Sequence, residues 1–212
     1  DYENAAADFD RAITLDPENA RLYGSRGMAY SLSEPVERGI EDFNAAIRLS
    51  PKDPNLYMLR GNAYYYSGEL QRAVEDYGEA IRINPSDPQL FNNRGMMFRD
   101  MGEYERAISD YGVAIRVDPE NAYFHHVRGL TNKVAGRASA ASRDFQKAID
   151  LGYTPGVKAT VGVRSQAMAE GMVDAIAPAA STRTPVPPTP SAVPSTSAIQ
   201  DFDEAIRLNP QD

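Results

Sequence analysis

Few residues of this chain could carry out a reaction. Its two histidines, His125 and His126, are adjacent, and on a helix they would point about 100° apart, too divergent to share one metal ion. There is no cysteine, which excludes a thiol nucleophile, a thiolate metal site and a disulfide. No Walker-type Gly-Lys-Ser/Thr loop, G-x-G-x-x-G turn or nucleophile elbow occurs. The plentiful Asp and Glu sit at helix-surface positions and read as solvated faces rather than paired catalytic acids. One constellation of charge does recur: Arg26/Asp42, Arg60/Asp76, Arg94/Asp110 and Arg128/Asp144 share one spacing. A catalytic site would not normally appear four times in one chain, so these pairs predict a ladder of ion pairs between helices. The chain is expected to be no enzyme and to carry no cofactor or metal.

The elements that would hold such a ladder follow from a period of 34 residues. Pro17, Pro51, Pro85 and Pro119 each close a near-copy of one segment: AAADFDRAITLDP, GIEDFNAAIRLSP, AVEDYGEAIRINP and AISDYGVAIRVDP. Such a period marks stacked supersecondary units. Four units follow, over 20–53, 54–87, 88–121 and 122–155. The first half of each carries Tyr23, Tyr57, Phe91 or His125, then Arg-Gly three residues on, then Tyr30, Tyr64, Phe98 or Asn132. The second half spaces apolar residues helically, as in Val74, Tyr77, Ala80 and Ile81. Each unit is therefore predicted to be two helices. Asp53-Pro54 and Asp87-Pro88 place a capping carboxylate before a first-turn proline, with Asn19 and Asn121 as caps in the other units. Gly68 and Gly102 mark turns inside units, while Pro51, Pro85 and Pro119 end the preceding helices.

In the second unit Tyr57, Gly61, Tyr64, Ala73, Tyr77, Ala80 and Pro85 fall at the aromatic, small and proline positions of a known signature. The pattern resembles the tetratricopeptide repeat (TPR), in a bacterial-like array, and covers residues 1–155 well and 198–212 in part. It departs from that pattern in having Arg where Leu usually precedes the small residue. In the 122–155 unit His125, Asn132 and Tyr153 replace signature residues, which predicts weakened packing there. The resemblance implies an all-α solenoid of stacked antiparallel helix pairs, coiled into a right-handed superhelix. It implies a concave wall lined by the first helices, with Met58, Asn62, Tyr65, Asn92, Asn93, Met96, Arg99, His126 and Lys133 in the groove. There the amides could bond an extended peptide backbone and Met and Tyr supply apolar contact, although Met96 and Tyr65 could instead pack on neighbouring helices. Co-chaperone members clamp a C-terminal carboxylate with Lys and Asn; Gly24 and Met28 hold the equivalent positions in the 20–53 unit, so that clamp is expected to be missing.

The formal charge of −8 argues against nonspecific nucleic-acid binding, which needs cations for the phosphates. With 42% hydrophobic and 25% charged residues the chain can bury a continuous core, and no apolar run approaches the roughly 18 residues of a membrane span. The lack of cysteine fits a reducing or an oxidising compartment, and the cytoplasm is the expected one. Residues 1–19 read as a half repeat (second helix only) and 198–212 as another second helix, so both ends look truncated and homo-oligomerisation through terminal helices is conceivable. Residues 156–177 read as a capping helix or as the first helix of a split fifth repeat, with Arg164 facing Asp201. Residues 178–197, rich in Pro, Ser and Thr, read as a disordered insert whose spacings at Pro185–Pro188 and Pro187–Pro190 could dock as a polyproline helix. The leading expectation is a non-enzymatic scaffold that binds a protein or peptide partner. The alternatives are a self-assembling structural module and a regulatory domain of a larger enzyme.

Overall fold

A computed structural model describes residues 2–31 and 36–154. The chain divides into two units, Asp1–Gly152 and Tyr153–Asp212, and the account below concerns the first. The expectations for 156–177, 178–197 and 198–212, the Arg164–Asp201 pair included, lie outside the described residues.

The described residues contain nine helices: α1 (Tyr2–Leu15), α2 (Ala20–Ser31), α3 (Val36–Leu49), α4 (Pro54–Tyr66), α5 (Leu70–Ile83), α6 (Pro88–Asp100), α7 (Tyr104–Val117), α8 (Ala122–Val134) and α9 (Ala138–Asp150). Each packs on its neighbours in sequence, most extensively within the pairs α2–α3, α4–α5, α6–α7 and α8–α9. This is the all-α solenoid of stacked helix pairs. Among the described residues no helix is long and apolar enough to cross a membrane.

Local chemistry sets the helix ends. Asp53 and Asp87 are extended, and each accepts a bond from the backbone N–H two residues on, at 2.9 Å, with a proline opening the helix. Asn19 and Asn121 do the same at 3.2 Å. These caps satisfy N–H groups that have no partner inside the helix. At the other end of α4, Gly68 takes a φ of 81°, so that its N–H reaches the Tyr65 carbonyl and the Glu69 N–H reaches that of Tyr64. Gly102 and Gly136 repeat the arrangement. This double bond pattern uses up helix carbonyls and needs a left-handed residue, which glycine supplies without a Cβ penalty.

The core runs along the seam between first and second helices. Phe43, Tyr77, Tyr111 and Phe124 are fully buried, with Ala46, Ala73, Ala80, Ala107 and Ala114 between them. Small residues let the backbones approach and the rings fill the space left. Tyr77 and Tyr111 lie edge-on to Gly61 and Gly95, where a Cβ would fall 3.0 and 2.9 Å from a ring carbon.

The repeated arginines form the predicted ladder. In each unit Nε bonds one carboxylate oxygen of the Asp and Nη2 the other, at 2.8 and 2.6 Å for Arg60–Asp76 and 2.7 and 2.8 Å for Arg94–Asp110. Arg26–Asp42 and Arg128–Asp144 match them. All four aspartates are buried. The guanidinium also reaches the preceding unit: Nη1 of Arg60 donates to Asn44 at 2.6 Å and that of Arg26 to Asp10. Gly78 and Gly112 hold the corresponding positions before Arg94 and Arg128. The Asp76 hydrogen bond, working against desolvation, holds Arg60 above the ordinary guanidinium range. Aromatic rings extend the stack. Tyr64 lies between Arg60 at 5.9 Å and Arg72 at 4.4 Å, and Phe98 between Arg94 at 5.7 Å and Arg106 at 3.9 Å, which favours the cations over the ring faces.

The fourth unit replaces signature residues and keeps part of their bonding with other atoms. Its His125 puts Nε2 3.2 Å from the Pro119 carbonyl, the contact that the Tyr23 and Tyr57 hydroxyls make to Pro17 and Pro51. A carbonyl can only accept, so Nε2 carries the hydrogen. Asn132 is buried where Tyr64 and Phe98 stand in earlier units and donates to Asp144 at 2.9 Å. The partner of the lost ring is missing as well, since Ala140 stands where Arg72 and Arg106 stand. The unit thus keeps some bonds with other atoms, and it leaves His125 Nδ1 buried without a hydrogen bond among the described residues.

Candidate protein-interaction groove

The residues expected in the groove all lie on the first helices α4, α6 and α8. That α4 and α6 are neighbours is shown by the Tyr65 hydroxyl, near the end of α4, which donates to Asp100 Oδ2 at the end of α6 at 2.7 Å. Asp100 Oδ1 accepts from Nε and Nη2 of Arg99 at 3.2 and 3.1 Å. Tyr65, Asp100 and Arg99 thus form one polar row across two units, with the Arg99 and Asp100 side chains about a third exposed. Burial and the acceptor Asp100 push the Tyr65 pKa up to about 12, so the hydroxyl keeps its proton at any ordinary pH. Tyr66 stands beside this row at 68% exposure, with its ring edge-on to Tyr65 at 5.7 Å.

Met58, Met96 and Tyr65 are partly buried against the main core cluster. Met96 and Tyr65 thus pack on the core as the second reading had it, and both remain partly exposed. His126 packs its ring 5.7 Å from that of Phe145, and Lys133 is exposed.

The amides are placed differently from the sequence expectation. Asn92 is buried, donates to Asn93 Oδ1 at 3.1 Å and leaves its own Oδ1 sealed without a partner. Asn93 donates to the Tyr77 hydroxyl at 3.1 Å, and that hydroxyl donates to Asn62 Oδ1 at 2.6 Å. Three amides offered to a ligand are thus drawn into a directional chain around a buried phenol. The physical reason is that a buried hydroxyl without partners is costly, and Asn62 and Asn93 are the side chains within its reach. Of the three, Asn62 retains an Nδ2 group with no hydrogen bond among the described residues.

One unit later Tyr111 is as deeply buried, but Met96 and Val127 replace the two amides and its hydroxyl has no hydrogen bond. Burial raises the pKa of both phenols. The contrast gives a stability prediction. Tyr77→Phe breaks two bonds and strands two amides, and should cost about 1–3 kcal/mol. Tyr111→Phe removes an unpaired group and should be neutral or stabilising. Urea unfolding of the two variants checks this, and equal losses would contradict it.

Sequence reasoning missed Tyr66, Asp100 and Tyr123. The signal was present: Tyr66 and Asp100 share one position of the 34-residue period, next to Tyr65 and Arg99. Tyr123, in the first turn of α8, is half-buried and within electrostatic reach of Arg99, which offsets part of the upward push that burial gives its pKa.

A TPR repeat family profile matches residues 61–97 and 95–133, and a tetratricopeptide repeat profile matches residues 1–54. No curated protein sequence matches the chain significantly. Among solved structures, that of MamA superposes with a TM-score of 0.66 at 23% identity, covering 71% of this chain and 88% of that one. A fragment of MamA from Desulfovibrio magneticus RS-1 gives 0.65 at 17% identity, covering 71% and 85%. The structure of YrrB, described as a TPR protein with an unusual peptide-binding site, gives 0.62 at 22% identity, covering 78% and 84%. The repeat matches span more than half of the sequence and the helix pairs carry the signature residues; the chain belongs to the tetratricopeptide repeat family.

Proposed function

We propose that this array is a non-enzymatic interaction scaffold that holds a peptide or protein segment along its first helices. The family supports a role in protein interaction, and YrrB, with its peptide-binding site, is a protein of the same fold. The observation that carries the reading is the row Tyr65–Asp100–Arg99. Its members are fixed by one another across α4 and α6 yet stay partly exposed, beside the ring of Tyr66, while Met58 and Met96 on the same two helices are partly exposed as well. A rigid polar line flanked by adaptable apolar surface suits an extended segment, because little side-chain freedom remains to be lost on binding. Asn62 Nδ2 adds a donor for a backbone carbonyl. Arg99, His126 and Lys133 place positive or polar groups along the α6–α8 part of the groove. The test is selection of short random peptides on the full chain, followed by photo-crosslinking from the peptide. Crosslinks are expected on α4, α6 and α8.

A further inference from the structure

The Arg–Asp ladder has a further contact that disappears along the array. At the first two junctions between units, Nη1 of the rung arginine is met by a side chain of the preceding second helix: Arg26 by Asp10 and Arg60 by Asn44. At the next two junctions that position is Gly78 and then Gly112. Nη1 of Arg94 and of Arg128 make no hydrogen bond among the described residues, while Nε and Nη2 stay on the aspartate.

The α7–α8 junction has lost a second acceptor as well. On α5, Arg82 donates to Glu79 at 2.8 Å. One unit on, Val113 replaces that glutamate, and the exposed Arg116 has no hydrogen bond or ion pair among the described residues. The two freed groups meet over one glycine. A Cβ at Gly112 would lie 3.7 Å from Arg116 Nη1 and 3.8 Å from Arg128 Nη1, so a small group resting against Gly112 is within reach of both. Neighbouring carboxylates are engaged elsewhere. Asp144 takes Arg128 through both oxygens and Asn132 through one, and Asp118 accepts from Asn121 at 3.1 Å. Asp144 thus balances Arg128, and the charge of Arg116 is left over. This seat is apart from the groove: round α8, Arg128 points about 160° away from His126 and about 140° from Lys133.

We propose that this junction seats a free phosphate ion, held between Arg116 Nη1 on α7 and Arg128 Nη1 on α8 against the bare backbone of Gly112. One carboxylate oxygen is enough for one Nη1, as Asp10 shows for Arg26. Two guanidinium groups arriving from different helices suit an anion with more oxygens, set tetrahedrally, and guanidinium groups match phosphate well. The ion ties the third helix pair to the fourth, as Asp10 and Asn44 tie the earlier junctions. Stability of the array then follows phosphate concentration, because an ion that binds the folded junction alone stabilises it by mass action.

Thermal melts of the full chain in inorganic phosphate, against chloride at matched ionic strength, test this. Saturating phosphate should raise the wild-type Tm by on the order of 3 °C. Arg116→Gln should lose that rise. Gly112→Asp, which restores an acceptor of the Asp10 kind, should melt above wild type in chloride and respond little to phosphate. Arg82→Gln, one unit away, should keep the full rise. Phosphate also stabilises proteins generally by exclusion from their surface, but that part is common to all the variants. No rise in the wild type, or an equal rise in all four proteins, would overturn the site. If Gly112→Asp misfolds by circular dichroism, Arg116→Gln still decides, since it removes an exposed side chain with no bond to lose.

Discussion

Asp76→Ala is expected to destabilise the array by about 3–5 kcal/mol, the usual cost of removing one member of a buried ion pair. The Asp76 side chain is 7% exposed and that of Arg60 is 19% exposed. With the carboxylate gone, the guanidinium stays wedged against Tyr57 and Tyr64, with Asn44 as its remaining partner. It can neither reach water freely nor find another anion. Removing both charges together should cost much less than the sum of the single changes, because the main loss in each single variant is the stranded partner. A double-mutant cycle at Arg60 and Asp76, followed by urea unfolding, measures this coupling, and a value near zero would show that the rung contributes nothing. The Arg60 and Arg26 rungs also touch the preceding unit, through Asn44 and Asp10. Damage at the Arg60 rung should therefore spread to the preceding helix pair, as in any array held by nearest-neighbour interfaces.

Gly61→Leu is the second large effect. A Cβ at Gly61 would lie 3.0 and 3.2 Å from two ring carbons of Tyr77 and 3.3 Å from the Asp76 Cβ. The ring cannot retreat, because its hydroxyl is held by Asn62 and Asn93. A branched side chain there forces α4 away from α5 and strains the Arg60–Asp76 rung as well. The cost should reach or exceed the roughly 1–3 kcal/mol of ordinary overpacking. Gly78→Ala is the control. It is also helical, but its Cβ would make only an ordinary contact, with Arg94 Nη1 the nearest atom at 3.9 Å. Replacing a mid-helix glycine without a clash should add about 0.5–1 kcal/mol. Thermal melts of the two variants should move in opposite directions, and a wild-type melt for Gly61→Leu would contradict the close approach of the helices.

The repeat, the caps and the Arg–Asp ladder were legible in the sequence because each depends on spacing, and spacing is what a sequence records directly. Arg60 and Asp76 stand sixteen residues apart in every unit, which leaves one arrangement of two packed helices to satisfy them all. The groove was only partly legible. Position on a helix tells which side Asn62 and Asn93 occupy, but not that a buried phenol from another helix claims their amides. The fourth unit shows a related limit. A signature lists residue types, whereas the fold needs bonds, and His125 and Asn132 supply these with different atoms. Tyr111 shows the converse: it keeps the signature and loses the bonds.

The claim that the first helices form the binding face is tested most directly by mapping where a selected peptide touches the full chain. Photo-crosslinks from the peptide should fall on Asn62, Tyr65, Tyr66, Met96 and Arg99, on the faces of α4 and α6. Crosslinks concentrated on the second helices, at residues such as Gln71 and Glu75 of α5, would contradict it.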